Sequence, residues 1–142
     1  MKLDTEKLAL DMRSLSRGTN RGSFIIPLRD VEWSIEDVEP AGDTGVLDLT
    51  VDLEEKAVIC TGSFDARFQT RCARCLQPAV FPVREEIIRE YSWIPAAPEE
   101  EPRELISDSG ELNVLEAVRE AIILSIPGKP LCSSDCPGID YI

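Results

Sequence analysis

The chain has 142 residues and a mass of 15.8 kDa, and is 43% hydrophobic and 30% charged, a globular composition that predicts one domain. Its 15 basic and 27 acidic residues leave a net charge of −12, so the surface repels phosphate polyanions at long range and attracts basic partners. Histidine is absent, which excludes histidine general bases, Ser-His-Asp and Cys-His dyads, and every histidine metal site.

In chain order, Met1 to Lys7 lacks the apolar stretch of a secretory signal. No apolar run approaches the roughly 18 residues of a membrane span, so a cytoplasmic location is expected. Thr5 to Leu15 reads as a short helix with Leu8 and Met12 on one side. Arg17 to Gly22 reads as a loop. Ser23 to Leu28 reads as an edge strand, because Pro27 cannot donate to a central ladder.

The acidic stretch 30–56 contains Val46 to Leu53, where Leu47, Leu49, Val51 and Leu53 share one face and Asp48, Thr50 and Asp52 the other. After a turn at Glu54-Glu55-Lys56, a strand resumes at Ala57 and is expected to be interrupted or bulged at Gly62. Phe64, Ala66, Phe68 and Thr70 then alternate with Asp65, Arg67, Gln69 and Arg71. Val80 to Trp93 reads as another long strand, with Val83, Ile87 and Tyr91 as core candidates. This pattern predicts an antiparallel meander with one wet face. Trp33 and Trp93 read as core or sheet-edge residues.

Pro95, Pro98 and Pro102 with Glu99-Glu100-Glu101 predict a mobile acidic connection near residues 95–110. Asn113 and Glu116 resemble a capping box opening a helix. Leu115, Val118 and Ile122, joined by Val114, Ala121 and Leu124, form its packing face, and Pro127-Gly128 ends it.

The strongest chemical signal is cysteine spacing. Cys72 and Cys75 form a CxxC in the turn between two predicted strands, and Cys132 and Cys136 form a CxxxC beyond the helix. Short spacing lets one turn aim two sulfurs at a point, and a second turn completes a tetrahedron, so the pattern fits a structural four-thiolate zinc site. A disulfide or redox pair and unpaired reduced thiols are the alternatives. Cys60 reads as a small buried apolar residue. Arg67, Arg71, Arg74 and Arg84 surround the CxxC and suit either a phosphate or acidic partner, or the balancing of local carboxylates. No spacing singles out a carboxylate pair for acid–base work, and there is no Walker loop or dinucleotide fingerprint. The expected fold is α+β: a curled antiparallel sheet of about four to six strands packed with a C-terminal helix, with a pair of zinc knuckles at one end.

Arg71 to Pro78, the long acidic strand after it, Glu111 to Val114, the helix through Val118 to Pro127, and Pro130-Leu131-Cys132 together resemble the YceD-like family. The matching blocks are residues 67–94 and 111–138, and the resemblance frames residues 1–142 as a single YceD-like domain. It implies a non-enzymatic factor of large ribosomal subunit biogenesis, supporting accumulation of 23S rRNA. The family's paired cysteines fall on Cys72, Cys75, Cys132 and Cys136. Many relatives carry a further cysteine in a Gly-Leu-Cys-Pro stretch, whereas Pro137 to Ile142 holds none. The implied partner is large-subunit rRNA, met through the arginines, or a basic ribosomal protein escorted by an acidic surface. A third alternative is a thiol–disulfide enzyme using Cys72 and Cys75.

Overall fold

The computed structural model describes residues 1–93, 97–100, 104–106 and 109–138. The strands are β1 (Lys2–Asp4), β2 (Ala9–Asp11), β3 (Gly18–Pro27), β4 (Glu39–Pro40), β5 (Thr44–Leu53), β6 (Ala57–Arg71), β7 (Pro78–Ser92), β8 (Glu104–Leu105) and β9 (Glu111–Asn113). One α-helix, α1, spans Leu115–Ser125. Six strands form an open sheet in the order β3-β5-β6-β7-β8, with β4 paired to β6 off that path. Every pair in it is antiparallel except β7 with β8.

Alternation sets the faces. Leu47, Leu49 and Val51 of β5, Phe64, Ala66 and Phe68 of β6, and Val83, Ile87 and Tyr91 of β7 are buried on one side. Asp48, Asp65 and Arg67 stand exposed on the other. The expected interruption at Gly62 does not occur: Thr61, Gly62 and Ser63 pair in unbroken register with Thr50, Leu49 and Asp48. Close approach of two backbones explains the glycine, because a Cβ there would lie 2.0 Å from the Asp48 carbonyl oxygen.

α1 lies along β7 and buries Ala117, Val118, Ala121 and Ile122. Asn113 Oδ1 accepts the Leu115 N–H at 2.9 Å, while Glu116 turns to Arg119. Leu124, expected on the packing face, is 70% exposed, because it lies in the last turn of α1 at the edge of the stripe that buries Ala117, Val118, Ala121 and Ile122. Trp33 belongs to the core: its indole N–H donates to the Leu28 carbonyl at 2.9 Å and its ring meets Phe68 edge-on. Trp93 is half exposed.

The first thirty residues depart from expectation. Thr5 to Leu15 is not one α-helix: β1 and β2 form a hairpin that β9 extends into a three-stranded sheet, and only Met12–Ser14 is helical, as a single 3-10 turn. Asp4 accepts the N–H groups of Glu6 and Lys7, and Leu8 has a φ of 52°, so the chain turns there instead of coiling. The turn buries Leu3, Leu8 and Leu10 together. The loop expected at Arg17 to Gly22 is strand from Gly18 onward, since β5 is long enough to pair the whole segment. The expected edge strand at Ser23 to Leu28 is the continuation of β3, ending at Pro27.

The acidic connection expected near 95–110 lies partly outside the described residues. Within it, Glu104–Leu105 pairs in parallel with Tyr91–Ser92. Among the described residues, no helix is long and apolar enough to cross a membrane.

Candidate metal centre

The turn between β6 and β7 is closed by its own backbone. The Cys72 N–H donates to the Gln77 carbonyl at 2.7 Å and the Leu76 N–H to the Cys72 carbonyl at 3.0 Å. Leu76 completes the turn with a φ of 66°. This winding brings the Cys72 and Cys75 sulfurs to one side. The segment after α1 makes a similar turn: the Cys136 N–H donates to the Ser133 carbonyl at 3.3 Å, and Gly138 follows with a φ of 93°. Two contacts dock the turns, one from the Ala73 N–H to the Pro130 carbonyl at 2.7 Å and one from Arg74 Nη1 to the Cys136 carbonyl at 2.9 Å.

The four sulfurs of Cys72, Cys75, Cys132 and Cys136 lie within 4.8 Å of one another. Cys72 is 3.6 Å from Cys136 and Cys75 is 3.6 Å from Cys132, so each sulfur of one turn meets a sulfur of the other. Zinc–sulfur bonds of about 2.3 Å in a tetrahedron separate the sulfurs by about 3.8 Å. The cluster therefore has the size of a four-thiolate shell and can hold a metal ion. All five cysteines are free thiols. A small cluster of Cys72, Ala79 and Cys136, with Cys75 and Leu131 against it, encloses the site and is separate from the main core. Cys72 and Cys136 are buried, Cys75 is half-buried and Cys132 is exposed.

Burial opposes ionisation of Cys72, but backbone N–H groups of Cys132, Cys75 and Arg74 outweigh it and lower the thiol to about 6. The neighbouring sulfurs of Cys136 and Cys75, with burial, push Cys132 up to about 12. At Cys75 the Gln77 backbone favours the thiolate, yet burial and the Cys136 sulfur prevail and the thiol is raised. The protein groups alone thus favour one thiolate over several. A divalent cation held by Cys72, Cys75, Cys132 and Cys136 would reverse that balance, because coordination deprotonates thiols outright.

The four arginines do not converge on the site. Arg74 joins the two turns. Arg71 ion-pairs with Asp37 at 3.6 Å, and Arg84 with Asp65 at 3.8 Å. Arg67 and Arg84 line one shallow depression that Asp43, Asp48 and Asp65 also line. Cys60, on β6, is buried in the main core away from the cluster. Sequence reasoning did not single out Leu131, whose apolar side chain next to Cys132 was a usable signal, or Leu76, where nothing local marked a left-handed residue.

Residues 60–141 match the family model described as large ribosomal RNA subunit accumulation protein YceD, an interval that contains all four clustered cysteines. The chain belongs to the YceD family. That description names a role in accumulation of large-subunit ribosomal RNA, and no reaction. Among curated proteins, the chain is similar to an uncharacterized protein of Mycobacterium bovis and to another of Mycobacterium tuberculosis, each 29% identical over 98 residues. Those matches cover 66% of this chain and 46% of each relative, so the chain spans about half the length of the curated relatives it matches. No solved structure matches the chain.

Proposed function

We propose that this chain is a non-enzymatic factor in biogenesis of the large ribosomal subunit, supporting accumulation of 23S rRNA through contact with rRNA or a ribosomal protein. Membership of the YceD family, matched across residues 60–141, carries this reading. In it, residues 1–142 act as one domain in the cytoplasm. Zinc is the metal whose bond length and preference for thiolates suit Cys72, Cys75, Cys132 and Cys136, and it has a structural role, since four protein ligands leave no open position.

Net charge distinguishes the two modes of contact. A chain at −12 suits an acidic escort of a basic ribosomal protein, whereas direct rRNA contact would have to rely on Arg67, Arg71, Arg74 and Arg84. The ion pairs of Arg71 and Arg84 with carboxylates favour the escort mode. Thiol–disulfide chemistry is the weakest reading. The CxxC lies in a strand-to-strand turn and not at a helix N-terminus, and Cys72, the lowered thiol, is buried within a cluster of four sulfurs and not presented to a substrate.

Depleting the protein in its own cells and measuring the ratio of 23S to 16S rRNA tests the proposal. A fall in that ratio, restored by the wild-type gene, is expected; an unchanged ratio overturns the reading. Cross-linking in living cells then separates the modes, by recovery of discrete 23S sites or of a basic ribosomal protein.

A further inference from the structure

Among the described residues, four non-glycine residues have a left-handed backbone, and two of them, Asp37 and Leu76, line the same groove. This groove has a volume of about 400 Å³ and is also lined by Val38, Glu39, Gln69 and Arg71. It lies between β4 and its preceding loop on one side and the Cys72–Gln77 turn on the other, against the last residues of β6. Leu76 is 58% exposed. Its position requires a positive φ, which glycine adopts without strain and a leucine does not. In the isolated chain this leucine therefore has neither a conformational nor a full burial advantage.

We infer that the groove is a docking site for an extended basic peptide segment bearing an aliphatic side chain. The aliphatic group packs on Leu76 and Val38, and flanking lysines or arginines meet Asp37 and Glu39 at the rim. Charge selects this occupant. Arg71, the cation lining the groove, is already paired with Asp37 at 3.6 Å, and Glu39 adds a second lining carboxylate, so a phosphate backbone meets like charge there. The inference rests on the reading that the chain meets a ribosomal component, and it names a protein segment as that component.

The test uses the purified full chain and fluorescein-labelled short peptides tiling the basic segments of the large-subunit ribosomal proteins, followed by anisotropy. Peptides with an aliphatic residue between lysines or arginines are expected to bind. Leu76→Gly should weaken them by about tenfold, the scale of one lost apolar anchor, while metal content is kept and thermal stability is kept or raised. Asp37→Asn tolerates the left-handed backbone and should weaken binding by about threefold, an effect that high salt removes. Equal binding by wild type and Leu76→Gly overturns the inference. So does failure of every peptide while a labelled 23S fragment binds. In depleted cells, rescue of the 23S to 16S ratio by Leu76→Gly as fully as by wild type sinks the docking site alone. A ratio that never depended on the protein sinks the functional reading, whatever the peptides do.

Discussion

Arg74 reaches across from the β6–β7 turn to donate to the carbonyl of Cys136, two positions before Gly138 in the second turn. A cation from one cysteine pair thus braces the backbone of the other without using any sulfur. Arg74→Ala should weaken metal affinity and cost about 1 kcal/mol of stability, the value of a charged donor reduced for its exposure. Competition titration with a chromogenic chelator measures this, and affinity equal to wild type would show the brace to be idle.

Cys72→Ser and Cys136→Ser should each abolish stoichiometric metal binding, whereas Cys60→Ala should leave it intact. Because the small cluster around the sulfurs is separate from the main core, metal removal should loosen the segment 130–138 and spare the sheet. Hydrogen exchange after chelation reads the difference directly. Equal loss of protection in β5, β6 and β7 would show that the metal holds the whole fold.

At Gly62 a methyl group has no room, since the nearest atom is a backbone oxygen and not a flexible side chain. Gly62→Ala should destabilise the protein by about 1–3 kcal/mol through forced separation of β5 and β6. Urea unfolding gives the value, and a loss within 0.5 kcal/mol, about the scale of an ordinary surface change, would contradict the close approach.

Burial raises the Cys60 thiol from an ordinary 9.0 to about 11, and burial likewise raises the Tyr91 hydroxyl. Between those thiol values the unfolded chain has released a proton that the folded chain retains. The contribution of Cys60 to stability should therefore be constant below about pH 9 and fall as pH rises toward 11, by about 2–3 kcal/mol. Urea midpoints across this range should decline less steeply in Cys60→Ala, with the residual slope belonging to Tyr91 and to the raised thiols of Cys75 and Cys132. Identical slopes would mean that Cys60 ionises as freely in the fold as outside it.

The parts of this fold legible in the sequence are those whose partners lie nearby. The alternation of Leu47, Leu49 and Val51, and of Phe64, Ala66 and Phe68, marks strands whose neighbours follow within a turn. The quartet of cysteines was legible for another reason: with histidine absent, spacing alone narrows the soft ligands. Leu8 and Met12 mislead because their separation by four residues imitates a helix face, while the partner that makes Ala9–Asp11 a strand is the distant Glu111–Asn113. Arg17 to Gly22 looks like a loop by composition, and only the ten-residue ladder with β5 makes it extended. The left-handed backbone of Leu76 belongs to a turn closed by its own backbone hydrogen bonds, and a leucine, unlike a glycine, does not announce it.

The separation of the cysteine pairs also imposes an order in time. Cys132 follows Cys75 by 57 residues, and Cys136 follows Cys72 by 64. At about 5–20 residues per second, the ribosome delivers the second pair several seconds after the first. The β6–β7 hairpin has local partners and can form within that interval, presenting two thiols as half a site. The nascent chain can thus pair β6 with β7 before four thiols exist to enclose an ion, and capture of a metal would be a late step, open only to a chain translated through its second turn.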